Sequence, residues 1–490
     1  MMTDPFDPVS ELSENVRQRF FIDGRWQTPA SSDRFDLISP MTEQLTLSMP
    51  AGSGADMEKA IDAARRAFDD GDWPHLAPAE RAAYLMRVAD EIERRLDVFK
   101  RVWTGQVGAP RWFVDAIAGF AAPQFRYYAG LAETYPFEES RPVAHGRLKV
   151  LREPVGVAAL IVPWNAPLVL LVQKLSASLM AGCTVVVKPS PETPLDALLL
   201  AECVEAAGVP SGVVNIVPAG REVGNVLISD PRIDKVSFTG STAAGRHIAT
   251  VCADRLARVS LELGGKSASI LCEDVDIDAW TQTLAPFTMP FSGQICFAQT
   301  RVLVPHSRHD EFIDAYVARI EQMKVGDPWE ADTIVGPVSM ARQRDRVLDY
   351  IEIGRQEGAK VVAGGGKAAG FDQGYYIAPT IFDQVSNDMR IAREEIFGPV
   401  VSVIGYADEK EAIAIANDSD FGLSGSVFGN DVERAERIAR RIRTGHIGVN
   451  TFALDTVAPF GGYKKSGLGR ESGPEGLAGF QEMKALFLPE

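Results

Sequence analysis

Two short stretches of the chain carry residue types that together could perform covalent chemistry. One is SLELGGKSASI, residues 260–270, where Glu262 precedes the pair Gly264 and Gly265 and then Lys266. Its GGKS core resembles the end of a phosphate-cradling P-loop, which needs a small residue, normally Gly, five positions before the Gly-Lys pair's glycine. Ser260 stands there, and Leu261 and Leu263 make the intervening stretch a strand, so the P-loop reading fails. What remains is a carboxylate at a strand end, turned into a pocket by two glycines and able to act as a general base. The plain alternative is a solvated Glu262 beside Lys266. The other stretch is FSGQICFAQTR, residues 291–301. Cys296 lies between a Gly-Gln turn and a strand, where a thiol can open to a cleft and its thiolate can meet backbone N–H groups. A third segment, PWNAPL at 163–168, is a Pro-bounded strand-to-helix turn that could offer the Asn165 amide to an oxyanion.

These residues need elements to hold them. FFIDGRWQ (20–27) reads as a hairpin. Met57, Ile61, Ala64 and Phe68 fall on one helical face, as do Leu85, Val88, Ile92 and Leu96 behind Pro78. From about residue 150 the chain alternates: GVAALIVP a buried strand, PLVLLVQKLSASLMAG a helix, CTVVVKPS a strand, PLDALLLAECVEAAG a helix, then GVVNIVP, a helix to Ser229, KVSFTG and the helix STAAGRHIATVCA. β-branched strands alternating with helices indicate a parallel, doubly wound sheet. A second such set runs from about 298 to 450, so two α/β domains are expected. FTGSTAAG (238–245) follows a strand and opens a helix, which suits Gly240 and Ser241 to phosphate at a helix N-terminus. Its Gly-x-x-x-x-Gly spacing is not the dinucleotide fingerprint, and GLGRESG (467–473) has its third glycine one residue late.

Composition removes several function classes. A net charge of −16 opposes nucleic-acid and acidic-membrane partners, because phosphate binding needs a basic field. The apolar runs are too short to span a bilayer, and the acidic N-terminus has no signal-peptide pattern. Five cysteines without CxxC spacing suit a reducing compartment, with neither a disulfide framework nor a zinc site; the histidines show no metal-ligand spacing. A cytoplasmic protein without a metal is the expectation. Cys183, Cys203, Cys252 and Cys272 read as small buried apolar groups.

The ordered set PWN, KPS, FTGS, ELGGK, GQIC, EEIFGPV and PFGGYKKSG resembles the aldehyde dehydrogenase superfamily, from FIDGRW to GLAGFQEMKALFLP near the C-terminus. The resemblance implies two doubly wound, Rossmann-like α/β domains plus a small β oligomerisation arm. It divides the chain into an NAD(P)-binding domain (1–131 and 153–264), a catalytic domain with the nucleophilic Cys (265–462) and oligomerisation segments (132–152 and 471–490). It implies Cys296 as nucleophile, Glu262 as general base, Asn165 as oxyanion donor and Lys174 in the catalytic set. Lys188 then contacts the adenosine ribose and Glu395 the nicotinamide ribose. Ile161, Pro163, Trp164, Ser190, Gly220, Gly224, Phe238, Gly240, Ser241, Leu263 and Phe397 match further cofactor contacts. Ala166, Leu170, Gln173, Ile295, Phe297, Leu454 and Phe460 match the substrate tunnel. The implied activity is oxidation of an aldehyde to its carboxylic acid with NAD(P)+, through a cysteine thiohemiacetal and thioester. Hydrolysis is favoured over coenzyme A transfer because acylating relatives commonly lack the ELGGK glutamate. A homodimer or homotetramer is implied as well.

Two departures bear on specificity. Many relatives carry a glutamate three residues after the lysine of KPS; here Pro191 takes that place and Glu192 is displaced by one, facing the other way if the segment stays extended and brought back if the chain turns at Pro191. NAD is the expected cofactor, with NADP accepted more readily than where that glutamate is present. Ala166 and Gln173 stand where several relatives have aromatics, which predicts a roomy tunnel for medium-sized or bulky apolar aldehydes. Competing readings are a semialdehyde or coenzyme-A-acylating dehydrogenase, a cysteine hydrolase that would need a His partner, and a non-catalytic scaffold, which the intact Cys296, Glu262, Asn165, Lys188 and Glu395 oppose.

Overall fold

The computed structural model describes residues 5–489, with residues 284–286 described by backbone alone. An eight-stranded sheet organises the first domain. Its strands run Arg25–Gln27, Phe20–Ile22, Val214–Ile216, Thr184–Lys188, Val157–Ile161, Lys235–Thr239, Arg258–Glu262 and Gly467–Leu468. The five central strands are parallel, and the outer ones antiparallel. The reason lies in the side-chain alternation. Val157, Ala159, Ile161, Val186 and Val236 pack on one face with Met57, Ile61 and Leu227. Ala158, Leu160, Val185 and Val187 pack on the other with Leu171, Leu175 and Leu198. Both faces are therefore buried, at roughly 1.5–3 kcal/mol per large apolar side chain.

Helix boundaries follow local chemistry. Ser53 and Asp56 form a capping box at the start of Gly54–Asp69. The helix Pro167–Ala181 begins at a proline and stops at Gly182, whose φ of +96° suits glycine. Beneath that end the buried Arg81 guanidinium donates to the Met180 carbonyl at 3.0 Å.

The chain winds outward from Val157–Ile161 in both directions, so the crevice at the carboxyl ends of Val157–Ile161 and Lys235–Thr239 is a topological switch point, where α/β sheets bind ligands. The second domain repeats the plan with a seven-stranded sheet: Lys360–Ala363, Thr380–Asp383, Val400–Tyr406, Arg301–Pro305, Ala268–Leu271, Gly425–Phe428 and Gly448–Val449. A third, antiparallel sheet joins Glu138–Arg141, Arg147–Pro154 and Gln481–Leu488, leaving Met483 and Phe487 exposed. Among the described residues no helix is long and apolar enough to cross a membrane.

Candidate active site

Glu262 ends its strand at the edge of the crevice. It is buried, only 2 % exposed, and neither carboxylate oxygen has a hydrogen-bond partner among the described residues. The solvated alternative for this residue is therefore overturned: the turn carries Glu262 inward, and Lys266 is buried too. The turn itself is pinned from the chain's C-terminal segment. Leu263 N–H donates to the Ser466 carbonyl at 2.9 Å, and Ser466 Oγ donates to the Gly264 carbonyl at 2.7 Å. Burial raises the Glu262 carboxyl well above the usual carboxylate range. The nearby Glu471 charge raises it further, against the pull of Lys174 and Arg470. Lys174 is itself fully buried and ion-paired to Glu471, with Ser237 Oγ at 3.4 Å.

The two glycines are needed for close approach. A Cβ on Gly265 would lie 2.4 Å from the Cys296 carbonyl oxygen, and one on Gly264 would lie 2.3 Å from a Glu395 carboxylate oxygen. The ELGGK turn thus packs directly on the cysteine segment and on the EEIFGPV loop. Cys296 follows a left-handed run in which Phe291, Ser292 and Gly293 have φ of 47°, 54° and 74°. Such backbone is strained outside glycine and recurs at functional sites. Ser292 Oγ holds the run by donating to the Gly336 carbonyl at 2.8 Å. The thiol is half-buried, whereas the other four cysteines are buried and free, as expected. Burial pushes the Cys296 thiol above its ordinary range, and the Glu395 and Glu262 charges push the same way. The N–H groups of Phe297 and of Cys296 itself pull against them. Asn165 is held on both sides: Trp103 Nε1 donates to its carbonyl at 2.9 Å, and its Nδ2 donates to the Gln294 carbonyl at 2.9 Å.

A cavity of about 600 Å³ joins these elements. Its wall holds Pro163, Trp164, Asn165, Leu170, Gly240, Ser241, Leu263, Cys296, Glu395 and Phe397 from the expected set. Glu395 accepts from Gly265 N–H at 3.0 Å, and burial pushes its carboxyl up to about 7. The Phe397 ring meets Trp164 edge-on at 5.4 Å, joining the two domains. Ser241 caps the helix Thr242–Asp254, accepting from Ala244 N–H, so that helix presents its N-terminus to the cavity. Ile161 and Phe238 lie buried in the strands below.

Further along the strand ends, Lys188 closes Thr184–Lys188, and its Nζ donates to the Ala219 and Pro189 carbonyls at 2.8 and 3.1 Å. Burial brings this ammonium down to about 8, against the Glu192 charge. Gly224 lies beside it: an added Cβ would sit 3.3 Å from Lys188 Cδ. Gly220, at the head of Arg221–Ser229, opens onto free space. Of the two conformations open to residues 190–193, extended or turned at Pro191, the turn forms. Thr193 N–H donates to the Ser190 carbonyl at 3.1 Å, closing a turn over Pro191 and Glu192, and Ser190 Oγ donates to the Glu192 carboxylate. The cause is proline's fixed φ, which suits the first central position of such a turn.

Ala166, Leu170, Ile295 and Phe297 share one apolar cluster with Trp112, Phe113, Ile117, Val169 and Phe291. Phe297 also stacks on Phe452 at 5.0 Å. Half-buried Gln173 and Leu454 and buried Phe460 are in neither this cluster nor the cavity wall; Phe460 instead clamps Glu471 through paired backbone hydrogen bonds. Unanticipated wall residues come from the helix Ala341–Gln356, which supplies Gln343, Arg346 and Tyr350. The spacing of Val347, Tyr350, Ile351 and Gly354, all buried, was the signal for that helix.

A thiol, a raised carboxyl and an amide donor converge beside the crevice where a doubly wound sheet binds nucleotide, an arrangement suited to covalent, dinucleotide-dependent oxidation. Residues 26–486 match the family model for the aldehyde dehydrogenase family, and the chain belongs to that family. It is 46% identical over 473 residues to geranial dehydrogenase of Castellaniella defragrans, covering 96% of this chain and 98% of the relative. With 3-succinoylsemialdehyde-pyridine dehydrogenase of a Pseudomonas species it shares 42% identity, with 96% and 98% covered. Its fold matches the crystal structure of a Mycobacterium tuberculosis aldehyde dehydrogenase complexed with NAD+ at a TM-score of 0.95 and 43% identity, covering 96% and 98% of the two chains. It matches a Cys-to-Ala variant of Pseudomonas syringae aldehyde dehydrogenase C, complexed with NAD+ and octanal, at 0.93 and 40%, covering 97% and 98%.

Proposed function

We propose that this aldehyde dehydrogenase, an NAD+-dependent enzyme, oxidises medium-sized or bulky apolar aldehydes to carboxylic acids by covalent catalysis at Cys296. The observation that carries the proposal is the meeting of Cys296, Asn165 and the Glu262 turn at one 600 Å³ cavity. Lys188, Gly220 and Gly224 would hold the adenosine end, the Ser241 helix N-terminus the pyrophosphate, and Glu395 and Phe397 the nicotinamide end. The glycine positions fit this assignment, since Gly220 leaves free space at a helix N-terminus. When bound, NAD+ supplies the hydride acceptor.

The protein's own residues do the rest. Cys296 Sγ, as thiolate, adds to the aldehyde carbon, and the developing alkoxide is received by the Asn165 amide and the Cys296 N–H. Loss of hydride from the resulting thiohemiacetal leaves a thioester on Cys296. Glu262, made more basic by burial and by Glu471, takes a proton from water, whose oxygen attacks the thioester carbon and releases the acid and the Cys296 thiolate. Lys174 holds Glu471 in place beside that base.

The apolar cluster around Ala166, Ile295 and Phe297 supports an apolar substrate, as do the relative named for geranial and the octanal-bound relative. The exposed Met483, Leu486 and Phe487 on the strand Gln481–Leu488 support assembly into a homodimer or homotetramer, which light scattering would measure. The cytoplasm is the compartment that five unpaired thiols favour. The deciding experiment follows absorbance of reduced nicotinamide with a panel of aldehydes, comparing wild type with Cys296→Ser. Turnover by Cys296→Ser at the wild-type rate would refute the assignment; loss of turnover with retained NAD+ binding is the expected result.

A further inference from the structure

The mechanism above leaves unused an ion pair between Glu192 and Arg342, just beyond the carboxyl end of the strand Thr184–Lys188. The turn at Pro191 folds Glu192 back toward Lys188, which feels its charge. One Glu192 oxygen accepts from Ser190 Oγ, and the other accepts from Arg342 Nη2 at 2.5 Å. Arg342 belongs to the second domain's helix Ala341–Gln356, next to Gln343 and one turn before Arg346, both in the cavity wall. The pair therefore spans the two domains. Its halves are unequal: the Glu192 side chain is 25% exposed and doubly held, whereas that of Arg342 is 66% exposed.

We propose that Glu192 and Arg342 select between nucleotides at the adenosine ribose, the carboxylate receiving the 2′-hydroxyl of NAD+ and the arginine leaving it to receive the 2′-phosphate of NADP+. This rests on the reading that Lys188, Gly220 and Gly224 form the adenosine end. A carboxylate beside a ribose accepts its hydroxyls and repels a phosphate. Here the repelling group carries its own counter-ion, a guanidinium whose fork matches phosphate as well as it matches carboxylate. The Arg342 half of the pair is exposed and screened by water, so the arginine is the half that can exchange one anion for the other. Glu192, one position beyond Pro191, thus provides the carboxylate that Pro191 lacks, and Arg342 moderates its exclusion of NADP+.

The test is equilibrium binding of NAD+ and of NADP+ to the intact enzyme by calorimetry, with Arg342→Gln, Glu192→Gln, the double variant and Lys188→Met. Losing a charged hydrogen bond corresponds to roughly tenfold or more in affinity. Arg342→Gln is expected to weaken NADP+ about tenfold while hardly moving NAD+, and to flatten the salt dependence of NADP+ binding. Glu192→Gln is expected to weaken NAD+ and tighten NADP+, and the tightening should vanish in the double variant because Arg342 supplies it. A purely structural pair would shift both nucleotides together, and that result overturns the inference, as does an additive cycle. Lys188→Met separates the two levels. If it weakens both nucleotides while Glu192→Gln and Arg342→Gln leave their ratio unmoved, only this inference falls. If Lys188→Met changes neither affinity, the adenosine-end reading falls with it.

Discussion

Gly461 offers a test of the Glu262 assignment that leaves every catalytic side chain in place. Its φ is +149°, and an alanine Cβ there would lie 2.6 Å from Glu262 Oε1, 3.0 Å from Arg470 Cδ and 3.0 Å from the Gly469 carbonyl oxygen. Non-bonded atoms rest at about 3.5 Å, so the carboxylate would have to retreat by about 0.9 Å. The carbonyl on the methyl's other side is backbone and cannot yield. A misplacement near 1 Å can cost about 10²-fold in rate, at the lower end of the ~10²–10⁴ that a general base contributes in full. Gly461→Ala should therefore lower steady-state turnover about 100-fold. Because Glu262 acts on the thioester, one rapid burst of reduced nucleotide per active site should remain in stopped-flow absorbance. The strained φ should also destabilise the fold by roughly 1–3 kcal/mol, read as a lower Tm. Wild-type turnover in Gly461→Ala, or a burst lost in proportion to turnover, would refute the reasoning.

Other consequences can be measured independently. In the nucleotide-free enzyme the Cys296 thiol sits above its ordinary range, so alkylation by iodoacetamide should climb with pH and show no plateau below about pH 8.5; a neutral-pH plateau would show that the burial argument is wrong. Glu471→Gln leaves the buried Lys174 charge uncompensated and should cost about 3–5 kcal/mol by denaturant unfolding, while removing a charge that raises Glu262. An unchanged midpoint would show that the pair matters little. Each buried CH₂ contributes up to ~0.8 kcal/mol, so kcat/KM should rise along a homologous aldehyde series, and Ala166→Phe should shorten the preferred chain. A flat series counts against the roomy apolar tunnel.

The parts legible in the sequence were those set by local chemistry. The parallel cores of the two sheets follow from β-branched strands alternating with helices, and Ser241 at a helix N-terminus follows from FTGS after a strand. The burial of Glu262 did not follow from ELGGK alone, because it depends on Ser466 and Gly461, which reach the turn only through tertiary folding. For residues 190–193 the sequence leaves an extended segment and a turn at Pro191 both open, and the structure selects the turn, which proline favours at its first central position. The helix Ala341–Gln356 was missed although its apolar spacing was present: exposed charges between its buried residues concealed a narrow stripe.

The strand Gly467–Leu468 pairs with Leu261 and Glu262, although about 200 residues separate them along the chain. Glu471 and Ser466 come from the same late segment. During synthesis on the ribosome, therefore, the strand bearing the base emerges long before the residues that cap it, seat its turn and neutralise Lys174. For most of translation the first sheet has an open edge and a buried-type lysine without its counter-charge, features that recruit chaperones and invite mispairing. Activity can arise only once the last twentieth of the chain has left the exit tunnel, so a product truncated before Gly467 would be inert whatever the state of its cysteine.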